Sequence, residues 1–243
     1  MALASRTHPS GTDRRSSPRR PPRRTLLGST VGTKAVMAVS GLVLLAYLVA
    51  HVVGNLKIFL GPDEFNAYAH WLRTVGAPVL HHGWGLWIVR VGLLAAVTAH
   101  GVSAYRLSRL DRRARPVPYV RRRRRASYAT RTMRWGGVII ALFVVWHLLD
   151  LTTLTVNGNA QPGHPYENVV ATFSTWYGNA VYLLAVLAVG LHVRHGLWSA
   201  AQTLGLGGAR RDRALRAAAD ALALALTAGF AAVPVAVMTG AVS

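Results

Sequence analysis

The stretch KAVMAVSGLVLLAYLVAHVVGNLKIFL (34–60) carries no Lys, Arg, Asp or Glu between Lys34 and Lys57. At a helical rise of about 1.5 Å per residue, about 20 apolar residues cross a hydrocarbon layer of about 30 Å. Four further segments are as long: 84–108, 133–156, 172–204 and 214–240. A membrane-spanning strand would be about 10 residues long with apolar and polar positions alternating, and that alternation is absent. The expectation is an all-α membrane protein with five transmembrane helices, filling residues 29–243. Residues 1–28 are rich in Arg, Pro and Ser and unpatterned, as in RTHPSGTDRRSSPRRPPRR (6–24). Such composition cannot bury a core, so a disordered basic tail is expected. The apolar run after it is too long for a signal peptide and is followed by no convincing cleavage site.

Charge placement sets the orientation. The 243 residues are 52% hydrophobic, yet 28 Lys and Arg face 8 Asp and Glu, for a formal charge of +20. Nearly all the cations fall in three places: the tail through Lys34, residues 106–134 and residues 210–216. The connections between them hold only Arg73 in 61–83 and no cation in 157–171. Cationic loops stay on the cytoplasmic side. The N-terminus is therefore expected inside and the C-terminus outside, as an odd number of spans requires. Trp84, Trp87 and Trp176 fall at outer ends and Trp135 at an inner end, where aromatic belts form. The RRRRR run (121–125) accordingly reads as a topology signal attracted to anionic membrane lipids, with no nucleic acid as partner. The chain has no cysteine, which excludes disulfides, thiolate zinc sites, Cys-bound iron–sulfur clusters and covalently attached haem.

Five of the ten histidines lie inside the apolar segments: His51, His100, His147, His192 and His195. An ionisable side chain in a span is costly, so it marks either a functional site or an interhelical hydrogen bond. Helical rise gives their depths. His51 lies about 25 Å beyond Lys34 and His147 about 20 Å beyond Arg134, both in the outer half. His100 lies about 9 Å from Arg106, and His192 about 18 Å from a segment end near Leu204, both nearer the inner side. Depth pairs His51 with His147 and His100 with His192, with His195 on the same face as His192. Both halves of the chain place an outer His before an inner one, a weak internal duplication from which the fifth segment stands apart.

Two imidazoles facing each other across a bundle suit the axial positions of a b-type haem. Neutral imidazole is a good iron ligand, and two protein ligands leave the iron to carry electrons rather than bind oxygen. A structural zinc would want four ligands at one depth, whereas these come in separated twos. Two haem b groups in a bundle of four of the five helices are therefore expected. Arg90, Arg194 and His195 are candidate haem-propionate partners, set against simple snorkelling to headgroups. Two other readings compete: a haem-free membrane anchor, and a proton-coupled transporter using the intramembrane histidines with Asp150.

The segments AHVVGNLKIFLGPDEFNAYAHW (50–71), TAHGVSAYR (98–106), VVWHLLD (144–150) and LHVRHGLWS (191–199) resemble the di-haem cytochrome b anchor subunit of succinate dehydrogenase and fumarate reductase. The resemblance runs from about residue 30 to 240. Its more specific parts are His192 leading Gly196, Leu197, Trp198 and Ser199, and the run from His51 through Asn55, Phe65 and Asn66 to His70. It implies an outer haem on His51 and His147 and an inner haem on His100 and His192, selecting His192 over His195. It further implies cytoplasmic flavoprotein and iron–sulfur partner subunits, with room for a small extra membrane subunit. Electrons would pass to a membrane quinone, menaquinone, in a bacterial cell membrane. Asp63, Glu64, His70 and Trp71 are the candidate quinone residues, set against an ordinary loop with a helix starting at Asp63. Some relatives of this kind carry a glutamate two residues before the last ligand; here that position is Gly190.

Overall fold

A computed structural model describes residues 29–113, 124–208 and 210–243, without the side chains of 124–131. The expected tail (1–28) and the side chains of the RRRRR run lie outside the described residues. Seven helices follow in order: α1 (Thr30–Leu56, continued by a 3-10 turn, Lys57–Leu60), α2 (Pro62–Thr74), α3 (Trp84–Arg113), α4 (Arg124–Leu151), α5 (Pro165–Phe173), α6 (Trp176–Thr203) and α7 (Arg211–Met238). No strand occurs among the described residues. Five helices are long and apolar enough to cross a membrane: α1 with its 3-10 turn, α3, α4 from Thr132, α6 and α7.

Local chemistry explains the boundaries. Ser29 Oγ accepts the Gly32 amide at 3.0 Å and caps α1, satisfying a donor that the first helical turn leaves open. α2 and α5 each begin with Pro at the first turn and an acid behind it, which suits the fixed φ of proline and the helix dipole. The expected 172–204 segment is two elements. α5 ends at Phe173, and Thr175 Oγ1 caps α6 by accepting the Gly178 amide at 3.2 Å. α4 stops at Leu151, short of the expected 156. α6 closes with Gly205 at φ +77°, the Gly205 amide on Gln202 O at 3.2 Å and the Leu206 amide on Ala201 O at 2.9 Å. That left-handed glycine cap fixes the helix end and places His192 about 17 Å from it.

The packing is inside out relative to a water-soluble bundle. Ala38, Ala185, Ala201, Ala219, Ala223 and Ala236 are buried, while Leu94, Leu142, Leu184 and Leu224 are exposed. Small residues inside let helix backbones approach, and large apolar ones meet lipid. α1 and α6 pack on each other and on α7, α3 packs along α1, and α4 along α6. α7, the fifth span, packs against both central helices, α1 and α6. Gly190 explains its closeness to α6, because a Cβ there would overlap Thr227 Oγ1 of α7. Neither α1 with α4 nor α3 with α6 packs closely. Outside the spans, Asn66 of α2 ties the caps together. Its Oδ1 accepts the Tyr166 amide at 3.0 Å, and its Nδ2 donates to Glu167 at 3.2 Å.

Candidate functional site

The histidines meet across these two helix pairs. His51 of α1 and His147 of α4 have ring centroids 5.9 Å apart with planes at 78°. His100 of α3 and His192 of α6 are 6.1 Å apart with planes at 66°. The depth pairing read from the sequence is the pairing in space. Tyr182, beside His147, and His192 are separated on α6 by a rise of about 15 Å. Met37, beside His100, and His51 are separated on α1 by about 21 Å. The two pairs therefore occupy distinct levels.

Hydrogen bonds assign the ring nitrogens. His100 Nδ1 lies 3.1 Å from Met37 O. A carbonyl only accepts, so Nδ1 carries the proton and Nε2 the lone pair. His147 Nδ1 lies 3.3 Å from Tyr182 Oη, which donates its single proton to Asp150 Oδ2 at 2.7 Å. The phenol oxygen must therefore accept from His147 Nδ1–H, which again leaves Nε2 as the basic nitrogen. Their partners are held by packing. His51 stacks on Tyr47 at 5.3 Å and meets Phe230 at 5.8 Å, and His192 Nδ1 is buried with no hydrogen-bond partner among the described residues.

This donor set suits a group held between two imidazoles. Metal–imidazole bonds are about 2 Å and a ring nitrogen sits about 1 Å from its centroid, so two rings on one metal have centroids about 6 Å apart. Among the described residues no group of three or more His, Asp or Glu converges, so a metal bound by protein side chains alone would lack ligands. Each pair could supply two imidazole ligands to a metal whose remaining donors come from a bound group. Gly41 leaves room beside the inner pair: a Cβ there would sit 3.2 and 3.3 Å from His100 Cε1 and Nδ1.

The other candidates are placed differently. Arg194, expected near a propionate, directs its guanidinium to Asp220 of α7, with Nε to Oδ1 at 2.6 Å. It follows His192 by two positions, about 200° around the helix, which turns it away from the inner pair. His195 lies within electrostatic reach of both His192 and Asp220. Arg90 is exposed near the N-terminal end of α3, its guanidinium 5.0 Å from the Trp87 ring centroid. Asp63 and Glu64 are exposed in the first turn of α2, His70 is 6.2 Å from His82 between ring centroids, and Trp71 is 56% exposed and stacks on Tyr68. Tyr68 connects this helix to the core, because Gly54 of α1, one turn beyond His51, lets its ring approach: a Cβ at Gly54 would be 2.9 Å from Tyr68 Oη. Sequence reasoning missed Tyr182, which has no signal in its own segment because it matters only through partners in another helix, and it read Asn66 only as part of the family pattern, not as the tie between α2 and α5.

The fold and its spans define a multi-pass all-α membrane protein with two half-buried histidine pairs. No protein-family model, curated protein or solved structure matches the chain.

Proposed function

We propose that the chain is a di-haem cytochrome b membrane anchor of the succinate:quinone oxidoreductase kind. The observation that carries this reading is the pair of His–His couples, each bridging helices that do not otherwise pack, at two levels of one bundle. His51 and His147 would hold the outer haem, and His100 and His192 the inner one. When bound, these haems supply one-electron transfer between a cytoplasmic iron–sulfur partner, fed by a flavoprotein subunit, and a membrane quinone. The chain's own residues prepare the sites. Met37 O and Tyr182 fix the tautomers of His100 and His147, Gly41 clears space beside His100, and Tyr47 and Phe230 brace His51. Small residues at helix contacts and lipid-facing leucines keep water from the couples.

In this reading the N-terminus is cytoplasmic and the C-terminus outside, in a bacterial cell membrane. The basic inner segments face the flavoprotein and iron–sulfur subunits. Arg134 and Asp111, 3.5 Å apart, tie the inner ends of α3 and α4 beneath that surface. The quinone, menaquinone in this assignment, binds on the outer side along α2, where Asp63, Glu64, His70 and Trp71 offer proton-exchanging and apolar groups. Tyr68 on Gly54 supports this placement by bringing α2 close to His51. The test is haem content of the purified full chain from a haem-replete host. Two low-spin haem b per chain are expected; a colourless protein defeats the reading.

A further inference from the structure

Asp150 is a carboxylate 4% exposed inside the outer half of the bundle. Among the described residues it joins no ion pair. Burying an uncompensated charge is expensive, so what solvates it matters. Two hydroxyls do: Tyr182 donates to Oδ2 at 2.7 Å, and Thr172 Oγ1 lies 3.2 Å from each carboxylate oxygen. Thr172 is in turn held by Asn157 Nδ2 at 3.0 Å. A cavity of about 80 Å³ adjoins the carboxylate, lined also by Trp146, Asn157 and Thr175, and it is large enough for water. Through the phenol, the carboxylate reaches His147 Nδ1, because Tyr182 Oη has only one proton to give and it points at Asp150.

We propose that Asp150 is a positioning residue for His147, acting through the Tyr182 hydroxyl. The Asp150–Tyr182–His147 chain fixes the Nδ1–H tautomer, aims Nε2 at His51, and brings negative charge to the outer site. This rests on the haem reading above. A ligating imidazole whose other nitrogen donates toward a carboxylate is more basic and better oriented than one left free. Anionic character behind a ligand favours the more positive, ferric state, so losing it shifts the couple toward the ferrous state. The inner pair is a built-in control, because His100 donates to the neutral Met37 carbonyl.

The experiment is a spectroscopic redox titration of the purified full chain, wild type against Tyr182→Phe, Asp150→Asn and Asp150→Glu. The expected result is an outer component whose ferric/ferrous equilibrium moves about tenfold toward ferrous in Tyr182→Phe and Asp150→Asn, about 59 mV for one electron. The inner component stays in place, and Asp150→Glu restores much of the shift. Because the three groups form one chain, Tyr182→Phe/Asp150→Asn should shift no further than the larger single change. Both haems retained with an unmoved outer component overturns the proposal, as does an equal shift of both components. Should Asp150→Asn fail to accumulate, Tyr182→Phe decides alone, since it removes the link and leaves Asp150 on Thr172. A wild-type chain without haem defeats the functional reading instead, independently of the variants.

Discussion

The outer and inner histidine pairs solve one problem by different means. The outer pair is built from side chains: His147 leans on Tyr182 and Asp150, Phe143 meets both His147 and Tyr182 at 5.7 and 5.0 Å between centroids, and His51 stacks on Tyr47. The inner pair is built from backbone and vacant volume: His100 rests on the Met37 carbonyl and fits because Gly41 has no side chain. Removal of a side chain should therefore hurt the outer site, while addition of one should hurt the inner. A carbonyl cannot be mutated away, so the inner support is also less open to tuning.

If the chain is the di-haem cytochrome proposed here, the most damaging test removes the proposed ligands. His51→Ala and His147→Ala should each abolish the same spectral component, and His100→Ala and His192→Ala the other. Different components lost by His51→Ala and His147→Ala would break the pairing. A smaller, selective effect is expected of Gly41→Val. Its branched side chain presses on the His100 ring at a cost of about 1–3 kcal/mol, as overpacking usually does. The inner component should weaken or vanish by optical difference spectroscopy while the outer one persists. Equal loss of both would show that the inner pair does not depend on that gap.

Gly190→Ala separates site effects from scaffold effects. The new methyl group meets Thr227 on α7, so a destabilisation of about 1–3 kcal/mol is expected, read as a lower thermal midpoint in detergent. Thr227→Ala in the same chain should recover part of it, and neither haem component should respond selectively. The smallest effect is expected of Arg194→Gln. With its guanidinium on Asp220 rather than at the inner pair, both haem spectra and midpoints should stay as in the wild type. A shift confined to the inner component would return Arg194 to the propionate role expected from sequence.

Much of the architecture is legible in the residues. The spans, including those of α1 and α3, follow from long apolar runs with few charges, and the depth of each histidine follows from counting residues. The short caps are harder. α2 announces itself with Pro62, Asp63 and Glu64, but the division between α5 and α6 hides in an apolar stretch where Thr175 alone marks the new start. The site's support is the least legible. Asp150 stands out as a buried charge near a span end, yet its partner Tyr182 is 32 residues away. Nothing in the VYL sequence around Tyr182 says which neighbour its hydroxyl meets. Arg194 shows the reverse: its chemistry suits a propionate, and only the position of α7 shows that Asp220 takes it.

The division has a physical cause. Crossing a bilayer is decided by transfer free energies that add residue by residue along one segment, so the sequence alone determined the five spans and the levels of the histidines. Which side chains touch depends on how each helix is rotated and how closely it approaches its neighbours. Those choices are set jointly by small-residue contacts such as Gly190 on Thr227 and Gly54 on Tyr68, between segments far apart in the chain. Only the tertiary structure therefore decided that His147, besides pairing with His51, would meet a tyrosine backed by a buried aspartate.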